Sequence, residues 1–238
     1  YWRVHWWFPY LWMLKGNLTQ KVKFPEYEGI YPAFHGTSGV TALQFIVDQV
    51  NAGITPLVGH RWGERFGARK YVVWLGGVWA IGKVPGWEEE REVVRRQVGL
   101  IPMFPVPTLG ISTSTAVSGW ILSIPTTSTH PDTAWEFLKT LLEPKIISGV
   151  TQYGYLPAQI TIAEKDPYKS QLEDYWGIDW WKKIASLLPL GHPLKATFPE
   201  YMEMENSISI AIEKAYRKMK SPKEALTEAA RKTCEVLE

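Results

Sequence analysis

Carboxylates are the side chains in this sequence whose spacing could most directly do chemistry. Glu26 and Glu28 stand two residues apart, and Glu200, Glu203 and Glu205 follow one another late in the chain. Two such groups flanking a glycosidic bond can act as general acid and as nucleophile or base. The first pair lies in a proline-containing stretch that reads as a loop. The second set falls at helical spacing, where a row of acids reads as a solvated face, and nothing nearby sets the unequal environments that acid–base division needs. Gly77-Val78-Trp79-Ala80-Ile81-Gly82-Lys83 has the glycine and lysine spacing of a phosphate-binding loop. It fails at the next position, where Val84 stands in place of the Ser or Thr that would hold Mg²⁺, and Trp79 and Ile81 are bulky for a backbone that must wrap phosphate. The five histidines, at positions 5, 35, 60, 130 and 192, have no metal-ligand spacing. The single Cys234 excludes an internal disulfide and a multi-cysteine metal site. HExxH, GxSxG and GxGxxG motifs are all missing. These residues point to a protein that is not an enzyme, with no catalytic residue, no metal and no cofactor.

Aromatic content is the unusual feature: 13 Trp and 11 Tyr in 238 residues. Their rings offer a flat apolar face with a polar edge, which suits stacking on sugars and equally suits cores and interfaces. Hydrophobic residues at 45% and charged residues at 21% describe a globular chain of one or two domains. Lys and Arg number 26 against 24 Asp and Glu, a balance of +2 that argues against a nucleic-acid partner. The apolar run from Trp6 to Leu14 is too short to span a bilayer and contains Pro9. It lacks the basic start and small-residue cleavage site of a signal peptide. A beginning at Tyr1, without Met, reads as a chain opened in the middle of a fold.

The elements that would position these residues follow from periodicity and punctuation. Residues 6–16 read as a short aromatic helix and 17–36 as loop. Thr37 or Ser38 can cap a helix with Leu43, Ile46, Val47 and Val50 on one face, stopped by Gly53. Residues 71–75 form a continuous apolar run expected to be a buried strand. Gly76-Gly77 break it, so Trp79 should emerge at a strand's end, where open α/β folds place ligands. Residues 88–97 read as a charged, solvated helix, and 98–104 and 119–124 as further strands. Pro131 opens a helix lined by Ala134, Phe137, Leu138 and Leu141, with Trp135 structural. Ser221-Pro222-Lys223-Glu224 is in capping-box register before Ala225, Leu226 and Ala229. The sum is an α/β chain with short, scattered strands and a largely helical last third.

Taken in order, these pieces resemble the family-1 extracellular solute-binding proteins of ABC transporters, the maltose-binding type. The matching segments are ALQFIVDQVNAG at 42–53, FGARKYVVWLGGVWA at 66–80, GLIPM at 99–103, SGW at 118–120, AWEFL at 134–138, GYLP at 154–157 and SPKEALTEAARK at 221–232. The resemblance implies a type II periplasmic-binding-protein-like fold of two α/β lobes that clamp a ligand. Residues 1–97 and 147–238 would belong to the C-terminal lobe and 98–146 would cross over into the N-terminal lobe. The start of that lobe would lie outside this N-terminally truncated chain, so residues 1–238 alone should bind sugar weakly. Carried over onto this sequence, the expected ligand contacts are Trp79, Trp120, Gly119, Trp6, Trp7 and Tyr155. The implied role is capture of a sugar or oligosaccharide by a monomer outside the cytoplasmic membrane, lipid-anchored through a missing segment, followed by delivery to membrane permease subunits. The rival is a glycoside hydrolase using the paired carboxylates.

Overall fold

The computed structural model describes residues 2–23, 28–56, 62–103, 110–119, 121–150, 155–159, 163–193 and 198–237. In chain order the elements are α1 (Trp2–Met13), β1 (Thr19–Lys23), β2 (Glu28–Pro32), α2 (Thr37–Asn51), α3 (Trp62–Gly67), a 3₁₀ turn at Val78–Lys83 and α4 (Arg91–Gln97). Then come β3 (Thr115–Val117), α5 (Pro131–Leu141), α6 (Pro144–Gly149), α7 (Tyr168–Trp176) and α8 (Ile178–Leu187). A 3₁₀ turn at Leu188–Leu190, β4 (Gly191–Pro193), α9 (Tyr201–Tyr216) and α10 (Pro222–Leu237) complete them. The chain divides into two compact units. The first comprises Tyr1–Gly59, Pro102–Ser118 and Leu187–Glu238; the second comprises His60–Ile101 and Gly119–Ser186.

The first unit is a helical core flanked by two small sheets. Val4, Trp7, Phe8 and Leu11 recur at helical spacing on α1, and Leu43, Ile46 and Val47 do so on α2. Met204, Ile208 and Ile212 of α9 and Leu226, Ala229 and Ala230 of α10 close the same cluster. Gly39 lets α2 enter it: a Cβ there would lie 1.8 Å from the Phe34 carbonyl oxygen. The stretch expected to be loop contains an antiparallel hairpin, with Thr19 opposite Pro32 and Lys23 opposite Glu28. Strands β3 and β4 pair in parallel. Neither Thr37 nor Ser38 caps α2; Gly36 holds that position, and the Ser38 hydroxyl instead donates to the Leu14 carbonyl at 2.8 Å. Gly53 does end the helix region, with φ +71°.

The second unit contains no strand among its described residues. The run 71–75 is neither strand nor buried: Val72 is 95% exposed. Residues 98–103 and 121–124 are likewise not strand, and helix α2 belongs to the other unit. Trp87 organises the core instead, stacked on Trp180 with ring centroids 5.7 Å apart and edge-on to Tyr175 at 5.6 Å. Ile81, Val84, Val94, Leu172, Trp176 and Ile184 surround it. Arg95 fastens α4 to α7 by donating to the Tyr175 carbonyl at 3.0 Å. Helix α5 starts at Pro131 as expected, but it buries none of its residues fully, and Trp135, expected to be structural, is 52% exposed.

The capping box at α10 forms as the sequence predicts. The Glu224 backbone N–H donates to Ser221 Oγ at 3.3 Å, and the Ser221 backbone N–H donates to Glu224 Oε2 at 2.9 Å. Four residues on, Glu228 takes Lys214 Nζ of α9 at 3.0 Å and Lys220 Nζ at 2.8 Å. Hydrogen bonds from Lys220 and then Lys214 hold its carboxyl down at about 2, against an ordinary value of 4.5. Ser221→Ala should therefore cost about 1 kcal/mol of stability in chemical denaturation. A carboxyl depressed in the folded state stabilises above its unfolded pKa and loses that contribution as pH falls toward its folded one. The α9–α10 pair should weaken between about pH 4.5 and 2, and Glu228→Gln should flatten that part of the pH–stability curve measured by circular dichroism.

Candidate functional site

Trp79 owes its position to the glycines before it. Residues 78–83 wind into a 3₁₀ turn, opened by the Ala80 N–H donating to the Gly77 carbonyl at 2.8 Å. A Cβ on Gly77 would stand 2.5 Å from Trp79 Nε1, so the indole folds back over a backbone that only glycine leaves bare. Ala80 and Ile81 turn inward and are buried, while Trp79 stays half-buried outside the Trp87 cluster. The segment is thus a turn without a preceding strand, which also removes the strand–loop–helix context of a phosphate-binding loop.

The other expected contacts divide between the units. Tyr155 is exposed in the second unit beside Leu156, which packs on the Trp87 cluster while Tyr155 does not. Gly119 is exposed in the same unit, and a Cβ there would meet nothing within 4 Å. Trp120 lies outside the described residues. In the first unit, Trp6 is half-buried on α1. Trp7, expected on the ligand face, is 0% exposed in the core, because it falls on the α1 stripe with Val4, Phe8 and Leu11.

Glu205 differs most from expectation. Its helix was expected to present Glu200, Glu203 and Glu205 together to solvent. Glu203 is exposed and Glu200 half-buried, but Glu205 is 2% exposed inside the first unit's core. Its Oε1 lies 3.0 Å from His5 Nε2 on α1. Tyr201, one turn earlier, hydrogen-bonds Glu205, and burial first, then the Glu205 charge, push its hydroxyl well above the tyrosine range. The periodic signal for this was in the sequence: Glu205 stands four residues after Tyr201 and three before Ile208, on the stripe that faces the core. Glu26, the other half of the early acidic pair, lies outside the described residues. No group of three His, Cys, Asp or Glu able to hold a metal occurs among the described residues, and none of their helices is long and apolar enough to cross a membrane.

No protein-family model matches the chain, and no curated protein matches it. Solved structures do. The maltose-bound MalE3 of T. maritima aligns with a TM-score of 0.77 at 17% identity, covering 98% of this chain and 57% of its own. The GacH receptor of Streptomyces glaucescens, studied with acarbose, aligns with a TM-score of 0.75 at 20% identity, over 98% of this chain and 57% of its own. UgpB from Mycobacterium tuberculosis, in complex with glycerophosphocholine, reaches 0.72 at 13% identity, over 97% and 54%. The chain therefore has the type II periplasmic-binding-protein fold, and it spans a little over half the length of these structures.

Trp7, fully buried, and Trp79, half-buried, should respond differently to truncation. Trp7→Ala should cost ~3–5 kcal/mol of stability, as truncation of core aromatics does. Trp79→Ala should change the melting curve little and lower sugar affinity by roughly 2 kcal/mol. Paired melting and calorimetric titration of both variants checks this; a collapsed melting temperature in Trp79→Ala would make that residue structural.

Proposed function

We propose that this protein is the solute-binding component of an ABC importer, which captures a sugar or oligosaccharide outside the cytoplasmic membrane and delivers it to the permease subunits. The observation that carries the reading is the agreement of nearly the whole chain, 98%, with the folds of the maltose-bound and acarbose-binding proteins, at TM-scores of 0.77 and 0.75. In this reading binding is the entire chemistry. Half-exposed aromatic faces at Trp79, Trp6 and Tyr155, with Trp120 and Gly119, supply contact area, and a few polar groups set orientation. Trp7 supports Trp6 from the core. Lobe closure then buries the ligand and creates the surface that the permease reads. The protein acts as a monomer and is held at the membrane by a lipid anchor.

The hydrolase alternative loses one of its late carboxylates, since Glu205 is buried beside His5, while Glu203 is exposed and Glu200 half-buried.

The test is a panel of glucose, maltose, maltotetraose and tagatose offered to the full polypeptide, read by thermal shift and calorimetry. Saturable binding should raise the melting temperature, by the equivalent of about 2.7 kcal/mol at a hundred times the dissociation constant. The sugar should be recovered unchanged by chromatography. Shortened oligosaccharide would establish a hydrolase, and a panel without any shift would overturn the sugar-binding reading.

A further inference from the structure

The chain has three asparagines, Asn17, Asn51 and Asn206, and all three are exposed. Only Asn17 is followed two residues later by a hydroxyl side chain. Asn17-Leu18-Thr19 is the acceptor pattern for N-linked glycans, Asn-x-Ser/Thr with x other than proline. Asn51 has Gly53 at the hydroxyl position, and Asn206 has Ile208. So short a pattern also arises by chance, and it marks an acceptor only where the fold presents it.

The end of α1 does present it. The Gly16 N–H donates to the Leu11 carbonyl at 2.9 Å and the Lys15 N–H to the Trp12 carbonyl at 2.8 Å, while Lys15 is left-handed with φ +58°. These are the paired bonds of a Schellman motif, which stops the helix and fixes the direction in which the chain leaves it. The Ser38 hydroxyl of α2 holds the same turn by donating to the Leu14 carbonyl at 2.8 Å. Beyond the turn, Leu18 packs against the first unit's core, and its carbonyl accepts from the Ala33 N–H at 2.9 Å. Asn17 stands exposed between these two anchors, and Thr19 opens β1 half-buried. An asparagine in a turn commonly commits its carboxamide to the nearby backbone. Here neither the Asn17 carboxamide nor the Thr19 hydroxyl makes a hydrogen bond among the described residues.

Resting on the solute-binding reading, which puts the protein outside the cytoplasmic membrane, we propose that Asn17 carries an N-linked glycan. The donor is an oligosaccharide joined through its anomeric carbon to the phosphate of a membrane lipid. Asn17 Nδ2 forms a bond to that carbon as the carbon–oxygen bond to the phosphate breaks. The lipid phosphate leaves with the electron pair, and Nδ2 gives up one proton. Thr19 is the recognition group for the transfer. Trp6 lies about two helical turns before the end of α1, so a bulky surface glycan at Asn17 leaves that ring uncovered.

The experiment uses the full polypeptide purified from its source cells, digested with trypsin and read by mass spectrometry. Cleavage after Lys15 and Lys21 releases the peptide Gly16–Lys21, which holds the whole pattern. That peptide should carry an oligosaccharide mass, and its fragment ions should place it on Asn17. Asn17→Gln and Thr19→Ala should each abolish the added mass, and Asn17→Gln should bind the panel sugars as wild type does. An unmodified peptide, from protein that fractionates outside the cytoplasmic membrane, overturns this inference and leaves the solute-binding reading standing. A glycan that survives in Thr19→Ala also overturns it, because the acceptor pattern would not be what is read. An unmodified peptide from protein confined to the cytosol brings down both.

Discussion

The stacking of Trp87 on Trp180, with ring centroids 5.7 Å apart, is the contact on which the second unit depends. It joins the segment after the 3₁₀ turn to helix α8, from a distant part of the chain, and Tyr175 and Trp176 of α7 close around the same ring. With no strand ladder among the described residues of this unit, long-range aromatic packing takes the place that backbone pairing usually fills. Each buried tryptophan removes on the order of 200 Å² of mostly apolar surface from water, several times what an alanine would. Arg95 adds direction, since its guanidinium donates to the Tyr175 carbonyl and lies over the Trp87 ring at 5.9 Å. The position of Trp79 follows from this arrangement, because Ile81 and Val84 must reach the cluster and the turn between Gly77 and Val84 is the short route there.

The first unit is held differently, by interlocking helix stripes with one ionic exception. Four helices contribute residues at spacings of three and four, and the exception, Glu205, lies on the stripe itself. It brings α9 within 3.0 Å of His5 in the first turns of α1. Between α9 and α10, Glu228 of α10 takes Lys214 of α9 and Lys220 of the connecting turn. The two carboxylates differ in consequence. Half-buried Glu228 ties stability to pH, whereas Glu205 is buried within the core.

What was legible in the sequence was local. The capping box of Ser221 and Glu224 is encoded within four residues and forms as read. The α2 stripe and the turn at Gly53 are equally short-range signals, and both hold. The misreadings are non-local. An apolar run such as 71–75 reports a tendency to be buried, but a strand also needs a partner, and no short window of sequence says which. The hairpin at 19–32 was missed because its strands carry polar, weakly alternating residues and no two-residue Asn-Gly or Asp-Gly turn marks it. Glu205 was misread because a row of acids suggested solvent, while its register on the helix pointed inward. Trp7, expected on the ligand face, lies on the core stripe of α1, because a resemblance places a segment and the helix phase decides which of its rings faces the core.

The tryptophans show how composition becomes function once burial is known. Thirteen of them in one chain suggest sugar stacking, yet Trp7, Trp12, Trp87, Trp176 and Trp180 are buried as core. Their number is explained by two small units, each needing bulky rings to reach a stable core with little or no sheet to help. Trp6 and Trp79 lie outside that demand. One follows His5, whose ring lies 3.0 Å from buried Glu205, and the other folds back over the Gly77 backbone. Half-exposed rings held in one orientation lose little conformational freedom on meeting a flat partner, which is the physical basis of stacking affinity. Ligand contacts on this fold are therefore best sought among the aromatic residues that the cores did not use.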